Sequence, residues 1–234
     1  GTIKHSDSTT KGSFPSIGLG EGQASFDFET KSLPSNDSLS FKFQLQKADR
    51  YAIASIVNHF SFMDSNDRDY IKETVNTTKD SSGTLDLSLQ AKGPLKDHLQ
   101  FKGTGHLRLI DESLKKINLL GKISEKLGTS KLPIPSGSFS FEKLEIPFRI
   151  EYDKIYSDNI LLTGPVSKLE ASGQLNLISN EIDITAKLKL VGNLKIPLIS
   201  QVINLADPLS KITEIKISGN WKNPKTELIV NPFK

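Results

Sequence analysis

Apolar and polar residues alternate along most of this chain. The pattern is clear in Phe26-Asp27-Phe28 and from Leu39 to Leu45, and it recurs in Leu85 to Leu89 and Leu107-Arg108-Leu109. It returns in Phe139-Ser140-Phe141, in Ile146 to Ile150 and in Leu175-Asn176-Leu177, and is longest from Ile182 to Leu190. Ile215-Lys216-Ile217 and Glu227 to Val230 close the series. A period of two puts one set of side chains on each face of a strand. Here one set is Leu, Ile and Phe, and the other is Ser, Lys, Asp, Asn and Thr. That predicts an antiparallel meander with one wet face, not a parallel sheet buried on both sides.

Three segments break the period and predict amphipathic helices. The first runs from about Asp49, its cap, to Phe60, with Ile53, Ile56, Val57 and Phe60 as its apolar stripe. The second is capped by Asp111, lined by Leu114, Ile117, Leu120, Ile123 and Leu127, and stopped by Gly128. The third spans about Pro197 to Ala206, and Asp207-Pro208 ends it. Asp64 to Gly83 is polar, lacks a period and reads as a loop.

A phrase is written twice. Lys92 to Ile110 (KGPLKDHLQFKGTGHLRLI) and Thr163 to Ile178 (TGPVSKLEASGQLNLI) each pass from Gly-Pro to G-x-L-x-L. Gly-Pro marks a turn, because proline cannot donate to a ladder, so the phrase reads strand, turn, strand. The wider motif, glycine followed by two alternating apolar residues, recurs at Gly83, Gly105, Gly137 and Gly173. Each glycine signals a strand start, a bulge or a close backbone approach. Such self-similarity predicts an elongated structure built strand by strand.

Composition narrows the function. The chain has 234 residues, 36% of them hydrophobic, with 30 basic and 27 acidic side chains and no cysteine. That length can bury a core without disulfides. No like-charge run marks the concentrated basic surface that nucleic acid requires, so nucleic acid is not an expected partner. No apolar stretch approaches the roughly 20 residues of a membrane span. The polar start, GTIKHSDSTTKGS, reads as the cut edge of a longer protein.

Reactive groups do not converge. His98 and His106 could neighbour each other as metal ligands, but no third ligand is placed with them. Asp64 to Asp69 starts like a calcium loop, then fails at Arg68 and carries Val75 where the closing glutamate belongs. Gly18 to Gly22 has no strand–helix context for phosphate. No hydrolase, zincin or nucleotide-binding motif is present, so neither an enzyme nor a cofactor is expected. What is left is the apolar face. It fits two covered sheets of a sandwich, and it equally fits an open trough that holds an apolar ligand.

The order of motifs from Gly83 onward adds a resemblance. A G-x-G-x-L-x-L strand leads into LRLIDESLKKINLLGKISEKLG; the Gly-Pro hairpin and its G-x-L-x-L strand follow; the end is Ile217-Ser218-Gly219-Asn220-Trp221, Asn223-Pro224 and a last strand into Asn231-Pro232-Phe233. This resembles the C-terminal region of AsmA-like envelope proteins of the TamB and YhdP type. The resemblance implies a mainly β fold: an elongated antiparallel sheet curved into a U-shaped groove, with about three amphipathic helices capping or lining it. Residues 83–234 would be the groove region, and residues 1–82 an N-terminal β segment with one helix and a loop, continuous with it. It implies a periplasmic lipid-binding groove, anchored in the inner membrane by a segment this chain lacks, that passes phospholipids toward the outer membrane. Partners would be phospholipid acyl chains and the two membranes or their proteins. Groove residues would come from the apolar strand set: Phe139, Phe141, Ile146, Phe148, Ile150, Leu175, Leu177, Ile184, Ala186, Leu188, Ile215 and Ile217. Each also reads as ordinary core. Trp221 suits either a headgroup interface or a packed core. The alternative is an envelope assembly factor that pairs its sheet edge with a client strand.

Overall fold

The computed structural model describes residues 1–32, 37–53, 83–111, 114, 141–165, 167–190, 212–221 and 223–230. These residues form one sheet of twelve strands in chain order, every neighbouring pair antiparallel. The strands are β1 (Thr2–Ser6), β2 (Thr9–Leu19), β3 (Gly22–Lys31), β4 (Ser38–Asp49), β5 (Thr84–Pro94) and β6 (Lys102–Ile110). They continue as β7 (Lys143–Glu151), β8 (Lys154–Thr163), β9 (Ser167–Asn176), β10 (Glu181–Leu190), β11 (Ile212–Asn220) and β12 (Lys225–Val230). β1 and β12 are the two edges, so the sheet is not closed into a barrel. Pairing of β4 with β5 carries the sheet straight across residues 82 and 83.

A meander in strict order puts its turns alternately at two ends. The long connections, β4 to β5, β6 to β7 and β10 to β11, all leave from one end. The other end carries only short connections, joined strand to strand by backbone hydrogen bonds: Leu95 N–H to Asp37 O (2.8 Å), Tyr152 to Phe101 (3.0 Å), Leu177 to Asp153 (2.7 Å) and Trp221 to Asn180 (3.0 Å). This gives a continuous rim of hairpin tips.

Register keeps the apolar set on one face through four irregularities, one of them between Ile212 and Glu214 of β11. Phe14 to Ile17 in β2, Leu45 to Ala48 in β4 and Ser157 to Ile160 in β8 each insert one extra residue against the partner strand. An inserted residue reverses the alternation. The β8 sequence K-I-Y-S-D-N-I-L-L-T therefore returns Ile160 and Leu162 to the side of Ile155. In β4, Lys47 takes a left-handed φ of 52° at the bulge, and its N–H donates to Asp86 Oδ1 at 2.8 Å.

Helix is scarce among the described residues. Residues 50–53 form a helical turn capped by Asp49, whose Oδ1 accepts the Ala52 N–H at 2.7 Å, and His98–Gln100 form a short 3-10 turn. The three expected amphipathic helices are not found there. Only the start of the first helix lies within the described residues. The second is represented by Asp111 and the 3-10 position Leu114, and the third lies outside. The expected loop from Asp64 and Gly137 also fall outside.

The buried core gathers on the apolar face. Leu109, Leu114, Phe141, Leu162, Leu169, Ala171, Ala186, Ile215 and Ile217 form one cluster with Ile182, and Ala24, Leu45 and Ala48 form a second. In β3, β4 and β6 these buried positions sit toward the long-connection end. In β10 and β11 burial reaches the rim, where Trp221 packs against the cluster.

Candidate functional site

Two surfaces at the rim half of the sheet have the makings of a site. The first is the apolar face of β2 to β8. Cross-strand pairs place Phe14 beside Phe26, Phe26 beside Phe43 and Phe28 beside Phe41. The ladder continues through Leu89, Gly105 and Phe148. Ring centroids lie 5.7 Å apart for Phe26–Phe28, 6.1 Å for Phe26–Phe41 and 6.0 Å for Phe41–Phe101, within the range of favourable aromatic contact. These phenylalanines are half-buried, so the array keeps part of each ring open.

Glycine makes the array possible. A Cβ on Gly12 would fall 2.1 Å from the Phe28 ring, and one on Gly105 would fall 2.3 Å from the Phe148 ring. Each ring lies across the neighbouring strand where that strand has no side chain. The glycine of the repeated motif therefore sits within strands β6 and β9, on the apolar face. Gly173 does for Ile184 what Gly105 does for Phe148, with a Cβ–Cγ1 distance of 2.8 Å. The close-approach reading fits Gly105 and Gly173; the strand-start and bulge readings do not.

The sequence-expected groove residues fall into three groups. Ile146, Phe148, Ile150, Leu175, Ile184, Ala186, Leu188, Ile215 and Ile217 share the apolar face by register. Of these, Ala186, Ile215 and Ile217 are buried and the rest half-buried. Phe141 is fully buried just before β7, and not on a strand. Leu177 lies past the end of β9, in the turn to β10, and is 38% exposed. Phe139 lies outside the described residues. The same face also carries Phe26, Phe28, Phe41 and Phe43, left out of the expected set although their alternation was plain.

The second surface is on the polar side. A shallow trough of about 1110 Å³ crosses β1 to β7 near the rim. Its charged lining is Lys4, Lys11, Lys42, Lys92, Lys102 and Arg149 against Asp27, Glu29 and Glu151, six basic groups to three acidic. Two lysine pairs stand directly opposite each other across strands, Lys4 with Lys11 and Lys92 with Lys102. Like charges so placed repel, which no structural need explains. Within the trough Lys11 lies 3.6 Å from Glu29 and Arg149 lies 3.2 Å from Glu151; elsewhere on the polar face Lys189 and Lys168 contact Glu170 at 2.6 and 2.9 Å, and Arg108 lies 3.3 Å from Asp86. The ammonium groups of Lys189 and then Lys168 hold the Glu170 carboxyl down at about 2. Hydrogen bonding to Tyr152 raises the pKa of Lys102, which also lies 4.6 Å from the centre of that ring.

No ligating cluster emerges. Among the described residues, no group of three or more His, Cys, Asp or Glu could hold a metal ion. His98 lies in the 3-10 turn, and His106 lies on β6 opposite Ser88 and Pro147. Among the described residues no helix is long and apolar enough to cross a membrane. Compared with known proteins, the chain matches no family, no curated protein and no solved structure.

Proposed function

We propose that the sheet is a lipid-binding surface of the AsmA-like kind, whose apolar face takes phospholipid acyl chains. It would serve as the periplasmic part of an inner-membrane-anchored protein that passes phospholipids toward the outer membrane. In this reading the apolar face lines a U-shaped groove. The observation that carries the proposal is the apolar ladder, continuous in register across neighbouring strands and half-open over β2 to β8. The order of motifs from Gly83 onward supports the family reading. An acyl chain laid on such a face gains about 0.8 kcal/mol per buried CH₂. That gain depends on no particular headgroup, which suits a carrier. No catalytic step is assigned.

Native mass spectrometry of the protein from a bacterial host, followed by lipid extraction, tests this. Phospholipid should co-purify, and Phe41→Asp should shed it while the circular dichroism stays β. A folded protein that takes no lipid, even after incubation with liposomes, overturns the proposal.

The sheet edge favours a second reading. All five residues of β1 are exposed, and β1 pairs with β2 on one side only. A client strand could add there, as an assembly factor requires. A peptide captured at β1 in place of lipid on the face would select that reading.

A further inference from the structure

The hairpin tips of the rim carry exposed apolar side chains. Among the described residues eight large hydrophobic side chains stand exposed, and four are at these tips: Leu95 (47%), Tyr152 (49%), Leu177 (38%) and Ile178 (64%). The turns of β5–β6, β7–β8 and β9–β10 that hold them are locked side by side by the backbone bonds of the rim. The four therefore form a fixed row along one end of the sheet.

Tyr152 is the most telling member. Its φ is +60°, a conformation that an aromatic residue adopts rarely and that Gly, Asn or Asp fill readily in a two-residue hairpin turn. Beyond the contact its ring makes with Lys102, an exposed aromatic residue in this conformation points toward a role outside the fold.

Positive charge lies behind the part of the row that Leu95 and Tyr152 form. The lysine-rich trough opens on the polar face at this same end, and Lys42 and Lys92 have no carboxylate partner among the described residues. Asp97, Glu151 and Asp153 also stand at the tips, so the rim itself is mixed and the trough supplies the positive excess. On the opposite face, the same strands present the open phenylalanine array.

We infer that this rim docks on an anionic lipid bilayer. Leu95, Tyr152, Leu177 and Ile178 enter the headgroup layer, and the trough lysines meet lipid phosphates. Tyrosine suits that depth because its ring is apolar and its hydroxyl wet. Lysine stems lie along apolar surface while their ammonium groups reach the phosphates. Each lysine near an anionic surface adds attraction that salt screens. Docking along the row of turns would set the open apolar face beside the membrane. The inference stands apart from acyl binding, since it concerns the tips and the polar trough and not the apolar face.

The test is binding to vesicles of phosphatidylglycerol and phosphatidylethanolamine, against vesicles of phosphatidylcholine alone. Flotation reports binding, and the single tryptophan, Trp221, on the same rim, reports contact through its fluorescence. The protein should float with the anionic vesicles and be released by high salt. Leu177→Ser with Ile178→Ser should weaken binding about tenfold, as should Lys92→Gln with Lys102→Gln. Tyr152→Asn relieves the turn, so it should fold at least as well and still bind more weakly. The rim variants should keep any co-purified lipid, and Phe148→Asp, on the apolar face and outside the trough, should keep vesicle binding. Equal binding to both vesicle types, binding unchanged in all three rim variants, or no binding at all overturns the inference, as does selective capture of a protein by the same row.

Discussion

Arg50 and Asp111 meet at 2.6 Å where β4 and β6 leave the sheet, with Asp111 fully buried and Arg50 nearly so. The pair sits beneath Gly83, whose carbonyl accepts the Arg50 N–H at 2.9 Å. A Cβ on Gly83 would lie 2.8 Å from Asp111 Oδ2. Three connections are thus pinned at one point: the exit of β4, the entry of β5 and the exit of β6. Asp111→Ala removes the buried carboxylate that meets the guanidinium and should cost roughly 3 kcal/mol, read from urea unfolding. Arg50→Met with Asp111→Leu should cost less than the sum of the single changes, because the two side chains contact each other and their effects couple.

Glycine on the apolar face should tolerate no side chain. Gly105→Ala sets a methyl 2.3 Å from the Phe148 ring and 2.6 Å from the Ser88 carbonyl oxygen. A loss of about 1–3 kcal/mol is expected. Gly18→Ala is the control, since nothing lies within 4 Å of its Cβ and its φ is not left-handed. It should leave stability unchanged or raise it by about 0.5 kcal/mol.

The bulge in β4 makes the opposite prediction. Lys47 holds a left-handed φ of 52°, and its side chain is exposed. Lys47→Gly keeps the N–H that bonds Asp86 and removes the strain. Thermal melting should show a gain of up to about 1 kcal/mol, and Lys47→Val should show a loss.

Glu170 titrates far below an ordinary glutamate because Lys189 and Lys168 bond its carboxylate. Its folded pKa is depressed, so its contribution to stability is complete above the unfolded value near 4.3 and fades as pH falls toward 2. Carboxyl-carbon NMR should find it at about 2. Lys189→Gln should move it up more than Lys168→Gln does. A Glu170 that titrates at the ordinary value would contradict the geometry.

Much of the sheet was legible because a period of two survives wherever one face is apolar. β3 to β7 and β9 to β12 read directly. β2 hid because Gly12 and the bulge past Phe14 erase its alternation, and β8 hid because Asp158 and Asn159 straddle a bulge. The cap at Asp49 was legible from its type and spacing. The glycine motif was visible while its use was not, since only register sets Gly105 opposite Phe148. The trough was hidden for the same reason: Lys4 and Lys11, or Lys92 and Lys102, become neighbours only through pairing. Leu177 read as the last apolar position of a strand, but the β9 ladder ends at Asn176, whose Oδ1 accepts the Ile178 and Ser179 N–H groups and turns the chain.

The central claim is that acyl chains lie on the apolar face. A phospholipid with a photoactivatable group in its acyl chain, bound and irradiated, tests it most directly. Peptide mapping by mass spectrometry should place the adducts on Phe28, Phe41, Phe148 and Ile150, with Lys42, Lys92 and Thr104 on the opposite face unlabelled. Adducts spread equally over both faces, or confined to the polar one, would contradict the account.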